Sequence, residues 1–273
     1  MGALSVLKSP PDKRWIAHSF GAAASAYDGV AVLQRSVGQD LIENLPTWSG
    51  DGFVLDVGAG TGHFSRTLEG LYPAARVIAL DIAEGMLRCA SEWFTGACVG
   101  GDAEALPLAT GSIDVIFSNL AIQWCGSPLT AFREFHRVLR PSGHLLFSTF
   151  GPKTLQELRR SWAQVDDFSH VIEFNEVKVL EQSLSEAGFS VDKLEATVMA
   201  IDYVDVMSLM RELKALGARN LTAERPRHLT GKDAMGRMIS AYPRQGLTGS
   251  TSIRASFEVI SGFATRSVRS GGY

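Results

Sequence analysis

Cysteine is scarce in this chain: Cys89, Cys98 and Cys125 form no Cys-x-x-Cys pair and leave an odd count. That excludes a disulfide framework or a cysteine-built zinc site and fits a reducing cytoplasm. Nowhere is there an uninterrupted apolar run of the roughly 18 residues that a membrane span needs. The opening, Met1 to Trp15, carries Pro10, Pro11 and several charges instead of the apolar stretch of a signal peptide, so a soluble, unprocessed, cytoplasmic chain with no membrane partner is expected. A basic excess is missing too. With a net charge of -3 the chain as a whole does not read as a nucleic-acid binder. Internal repeats are absent, and low complexity is confined to Gly21–Ala26 and to the polar tail 265–273, which is expected to be disordered.

What is present is enough apolar material for a core, 45% of 273 residues. That suits one α/β domain with a modest insertion. From Phe53 onward, short β-branched runs alternate with helical patterns, which predicts a mostly parallel sheet. The strand candidates are 53–57 (FVLDV), 76–80, 97–100, 113–119 and 144–150. Between them, 61–71, 84–93 and 128–139 show apolar residues at three- and four-residue spacing and read as crossover helices. Two earlier helical stretches, 12–24 and 28–45, have no strand to serve, so residues 1–51 are expected to cap the mouth of a core spanning 52–204. Further helices are expected at 152–165, 176–187 and 205–216, strand-like residues at 189–203, and a last strand near 256–264. Residues 205–250 then form a helical insertion before the final strand segment 251–264. The expected fold class is α/β, Rossmann-like, with seven strands.

The most informative stretch is 54–62, VLDVGAGTG, where an apolar strand ends in an acid and a glycine loop opens a helix. In dinucleotide enzymes the third glycine falls three residues after the second, and the helix N-terminus faces a pyrophosphate. Here Gly58, Gly60 and Gly62 are spaced by two around Ala59 and Thr61, with Asp56 just before them. An acid there would repel a pyrophosphate but suits the ammonium and sulfonium of S-adenosylmethionine. Asp81 closes the second strand about 20 residues on, where a carboxylate can accept from both ribose hydroxyls; it could equally cap the next helix. Asp102 follows the third strand, placed to accept from an adenine amino group while the Ala103 N–H donates to the ring, or else to serve a turn. Ile82 and Met86 are candidates for the adenine wall, although a helical Met is often core. Asn119 and Leu120 would lie beside the sulfonium, with Gln123 and Trp124 walling the transfer channel. Trp124 could also be ordinary core. Three acids at successive strand ends, where open α/β sheets bind ligands, favour this cofactor over a plain structural turn.

The segments GDAEALPLATGSIDVIFSNLAIQWCGSPLTAFREFHRVLRPSG (101–143), FGAAASAYD (20–28) and LMRELKALGARN (209–220) together resemble the malonyl-acyl-carrier-protein O-methyltransferases of biotin synthesis. The likeness runs from about residue 14 to residue 264; its first half is shared with many class I methyltransferases, and a tail longer than expected departs from it. It implies transfer of a methyl group from S-adenosylmethionine to the free carboxylate of a malonyl thioester on acyl carrier protein. It also implies that the family's glycine motif falls on Asp56–Gly62, its ribose acid on Asp81, its adenine acid on Asp102 and its cap tyrosine on Tyr27. Tyr27 thereby joins Arg211 and Lys214, at i and i+3 of the insertion helix, as a candidate for positioning substrate.

The chemistry agrees. A carboxylic acid near its reference pKa is ionised at pH 7, so its methylation needs alignment and partial desolvation but no general base. No constellation of His or Cys is then required, and His63 and His136 read as structural or solvated. Between Met207 and Arg244, eight Lys or Arg face three acids, a local excess suited to steering an acidic carrier protein. A solvated basic face is the alternative for Arg211 and Lys214. Other acceptors, a different acid or a quinone or aromatic molecule, remain open at this point, as does a non-catalytic assembly factor that keeps only the fold.

Overall fold

The computed structural model describes residues 12–48, 50–218, 231–244 and 252–267. Five short strands run parallel: β1 (Phe53–Val57), β2 (Arg76–Asp81), β3 (Ala97–Gly100), β4 (Ile113–Ser118) and β5 (Leu139–Phe150). β1 and β4 are near-continuous apolar runs because helices cover both faces of the sheet. Two long strands, β6 (Phe189–Tyr203) and β7 (Ile253–Arg266), complete the order β3-β2-β1-β4-β5-β7-β6, with β7 antiparallel to both its neighbours. The helices are α1 (Lys13–Val30), α2 (Val32–Ile42), α3 (His63–Leu71), α4 (Glu84–Ala90), α5 (Pro128–Val138), α6 (Gln156–Trp162), α7 (Val177–Ala187), α8 (Val206–Ala215) and α9 (Lys232–Ala241). The expected seven-stranded Rossmann-like class I fold is therefore present, with α8 and α9 inserted before the last strand.

Several boundaries differ from expectation, α6 for instance covering 156–162 of the expected 152–165, and three of the differences bear on packing. The stretch 20–28 is continuous helix within α1, and the break falls at Ala31. Its small residues serve packing: Gly21 lies against Gly85, where a Cβ would come within 2.7 Å of the Gly21 carbonyl oxygen, so α1 seats directly on α4. The last strand begins earlier and ends later than 256–264, since β7 pairs with β6 from Ile253 to Arg266. Thr265 and Arg266, placed in the tail by sequence, are thus sheet residues; 268–273 lie outside the described residues. Leu139 starts β5 instead of ending α5, at a register shift against β4.

Phe132 and Phe135 of α5, with Phe147 of β5, are fully buried on one face of the sheet, their rings 5.2 to 6.2 Å apart. The edge strand β6 is exposed along most of its length and carries Asp192, Lys193, Glu195 and Asp202, charges that discourage edge-to-edge pairing. Among the described residues no helix is long and apolar enough to cross a membrane. Phe132→Ala is expected to lower the unfolding free energy by about 3–5 kcal/mol, read from urea denaturation followed by circular dichroism. A loss below about 1 kcal/mol would show that the surrounding rings can close the gap.

Candidate active site

Two of the cavities at the C-terminal ends of the parallel strands adjoin each other at one side chain. The smaller, about 100 Å³, lies between the glycine loop and α1 and is walled by Gly58, Gly60, Asp81, Asp102, Asn119 and Trp124 among others. The larger, about 540 Å³, lies between α6 and α8 and is mainly apolar, with Phe150, Trp162, Met207 and Met210 on its wall. Trp124 belongs to both.

The loop after β1 turns only because its glycines lack side chains. Gly58 has φ +75°, and a Cβ there would stand 2.4 Å from the Ala121 methyl; Gly62 has φ +82° and would meet Ala90 at 2.9 Å. Asp81 fastens this loop. One carboxylate oxygen accepts from the Gly60 N–H at 2.9 Å and the other from the Ala83 N–H at 2.7 Å, just ahead of α4. Asp81 is not the N-cap of α4, a place held by Ala83, but it organises the turn into that helix, and with 8% of its surface accessible it also faces the cavity. Burial raises its pKa against the pull of those backbone donors.

Ile82, Met86, Ala103 and Leu120 line the smaller cavity with Asp102 and Asn119. Asp102 accepts from the Glu104 N–H and from the Lys13 ammonium. Lys13 also reaches Glu104 at 2.7 Å. Burial works to lower the Lys13 pKa, but hydrogen bonds from its ammonium to Asp102 and Glu104 outweigh it and raise the value. Glu104 in turn accepts from the Gly126 and Ser127 N–H groups. Lys13, Ile16 and Phe20, all on α1, also wall the cavity and were not anticipated. Their i, i+3, i+7 spacing, one face of the helix, was the available signal.

Four expected residues stand elsewhere. Asp56, 2% exposed, is not on the cavity wall; its carboxylate accepts from the Ser65 hydroxyl at 2.6 Å. Side chains alternate along a strand, and Val57 is the one that faces the cavity, so its neighbour Asp56 faces away. Ala59 and Gly62 are likewise off the wall, Gly62 because it packs on α4. Tyr27, expected on the substrate side, lines the smaller cavity, where burial and then the Asp81 charge push its pKa up. Arg211 and Lys214 do line the larger cavity, both exposed. The Arg211 guanidinium, 67% exposed, donates to the Ser208 hydroxyl at 2.9 Å and lies 3.9 Å from Asp205. His63 lines neither cavity, and burial followed by the Arg35 charge lowers its pKa.

A polar network holds the loop between the cavities. Leu120 is left-handed, φ +50°, an uncommon conformation for a branched side chain. Its N–H donates to the Ser148 hydroxyl at 2.9 Å, that hydroxyl donates to Asn119 Oδ1 at 2.7 Å, and Asn119 Nδ2 donates to the Gln34 carbonyl at 2.9 Å. Buried Gln123 donates to the Leu120 carbonyl and accepts from Thr149. Ser148 and Thr149 also escaped the sequence reading; two hydroxyls in an otherwise apolar strand, HLLFSTF, were the signal.

Residues 55–147 match the family described as a methyltransferase domain. The chain is 51% identical over 256 residues to the malonyl-[acyl-carrier protein] O-methyltransferase of Methylococcus capsulatus, covering 92% of each. It is 41% identical to the enzyme of the same name from Gallionella capsiferriformans, covering 93% of this chain and 90% of that one. Among solved structures, the YcgJ protein of Bacillus subtilis superposes with a TM-score of 0.62 at 20% identity, over 86% of this chain and 99% of that chain, a likeness of fold.

Burial pushes the Asp56 carboxyl up to about 7, with the Ser65 hydroxyl opposing and the Asp81 charge adding to the rise. The protonated form is the one the fold prefers, so its stabilisation is complete below the unfolded value of about 3.9 and is lost as pH rises through the folded one. The wild-type chain is therefore expected to lose stability between roughly pH 4 and 7 with a slope approaching about 1.4 kcal/mol per pH unit from this group. Asp56→Asn should flatten that slope in urea titrations at several pH values. Parallel slopes would show that Asp56 ionises freely in the folded chain.

Proposed function

The chain belongs to the malonyl-[acyl-carrier protein] O-methyltransferases, and on that premise we propose that its smaller cavity takes S-adenosylmethionine and its larger one the malonyl thioester. The observation that carries this division is Trp124, which walls both cavities and so marks where donor and acceptor meet. The residues of the smaller cavity suit the cofactor. Asp81 spends one lone pair of each oxygen on the loop and keeps others for ribose hydroxyls; Met86 and Ile82 offer an apolar wall to a purine; Asp102 and the Ala103 N–H present an acceptor and a donor to its edge. The buried carboxyl of Asp81 on that wall also favours a cationic ligand over a pyrophosphate. When bound, S-adenosylmethionine supplies a methyl group on a sulfonium whose bonding pair stays with sulfur.

The protein's own contribution is then binding, alignment and exclusion of water. The substrate carboxylate is already ionised at neutral pH, so no side chain has to remove a proton. The apolar wall of the larger cavity strips water from the reacting oxygen, and the rigid loop 119–124 fixes where that oxygen can approach. Methylation conceals the malonyl charge, so the ester can be extended as an ordinary acyl chain for biotin synthesis. Arg211 and Lys214, with Lys232, Arg237 and Arg244, are the described basic residues of the insertion that an acidic carrier protein would meet. Arg219, Arg225 and Arg227, counted in the same basic segment, lie outside the described residues.

Labelled methyl donor, incubated with malonyl-, acetyl- and unloaded carrier protein, should mark the malonyl thioester alone. An unlabelled malonyl thioester would end this reading. Arg211→Ala is expected to raise KM for malonyl carrier protein roughly two- to fivefold, the worth of one exposed ion pair, with S-adenosylmethionine affinity unchanged and the difference vanishing at high salt. Equal KM at low salt would show that Arg211 faces only water.

A further inference from the structure

We propose that the side-chain amide of Gln34 grips the substrate carboxylate at the point of transfer, an assignment that rests on the function proposed above. Gln34 occupies a place where this helix is otherwise apolar. On α2, Leu33, Val37, Gly38 and Leu41 are buried, and position 34 falls on the same face, four residues before Gly38 and seven before Leu41. Its Oε1 is sealed from solvent and meets no hydrogen-bond donor; among the described residues it is the one buried side-chain nitrogen or oxygen without a partner. A buried amide left unpaired costs stability, and a polar group kept in that state at a cavity wall is poised for a ligand.

Its place is the junction. Gln34 lines the larger cavity, while its backbone carbonyl accepts from Asn119, which lines the smaller one. Several other polar side chains buried or half-buried on the larger wall are already engaged. Gln123 is held by Leu120 and Thr149, His170 by Asp166 at 2.9 Å, and Glu212 accepts from the Tyr203 hydroxyl at 2.8 Å. Gln34 is half-buried, with Oε1 turned into the protein, so the NH2 group at the other end of the carboxamide is the part left for the cavity. Facing an ionised carboxylate, the NH2 group is the complement.

A neutral donor also suits the reaction. A guanidinium forked onto both oxygens would bind more tightly but draw electron density from the lone pair that must attack. One amide N–H fixes a single oxygen and leaves the other reactive. In an apolar cavity a hydrogen bond to a charged acceptor is strong enough to select for it, on the order of 10- to 100-fold.

The test measures binding of malonyl- and acetyl-carrier protein to the full chain saturated with S-adenosylhomocysteine, which permits no turnover. The wild type is expected to prefer the malonyl form on the order of 10- to 100-fold. Gln34→Leu, a substitution that suits an apolar helix face, should erase that preference, leaving acetyl-carrier and S-adenosylhomocysteine affinities unchanged and the melting temperature equal or higher. Gln34→Glu should turn the preference toward the acetyl form, whereas Lys214→Ala should weaken both carriers alike. A Gln34→Leu protein that still prefers the malonyl form as the wild type does overturns the proposal while leaving the methyltransferase reading intact. A wild type that neither methylates the malonyl thioester nor distinguishes the two forms overturns both.

Discussion

One carboxylate ties the active end of the molecule together. Asp81 ends β2, yet its two oxygens are bound to the backbone of the neighbouring loop at Gly60 and of the turn at Ala83. The glycine loop is thereby fastened to the second strand as well as to the first, and α3 and α4 start from positions set relative to each other. The arrangement asks for a charge to be kept near Asp56 in a buried setting, which burial and mutual repulsion both oppose. Protonation of Asp56 and its hydrogen bond from Ser65 relieve that conflict in the free protein. A cationic ligand would relieve it in another way.

Around this centre, α1 acts as a brace between the two cavities. Its first turn reaches Asp102 and Glu104 through Lys13. Halfway along, Phe20 meets Trp124 edge to face at 5.1 Å, and Ser19 donates to the Gly217 carbonyl just after α8. Further on, Asp28 accepts from the Thr61 hydroxyl in the glycine loop. One helix thus touches the smaller cavity, the shared wall and the insertion, and its close seat on α4 depends on Gly21 and Gly85 having no side chains.

Much of this was legible before any coordinates. The apolar runs at 53–57 and 113–118 are parallel strands for the reason their composition suggests, burial on both faces, and Asp81 and Asp102 stand at successive strand ends as their spacing implies. What was not legible is mostly direction. Asp56 belongs to the right motif but points away from the cavity, a consequence of strand alternation that a motif read as a string conceals. Gln34 and Ser148 were hard to read for a different reason: Gln34 is a polar residue on an apolar helix face, Ser148 one of two hydroxyls in an apolar strand, and only the fold brings them within reach of Asn119. Tyr27 shows the same limit, since its side of the cap depends on α1 running unbroken past residue 24.

Because Trp124 forms part of both walls, the two cavities cannot drift independently: any exchange there that enlarges the larger one also reshapes the smaller. Room to change the larger cavity alone resides elsewhere on its wall, where Met207, Met210 and Met235 supply unbranched thioethers that adopt many shapes at little cost. The insertion is in this sense the evolvable half of the pocket and the shared indole its fixed point.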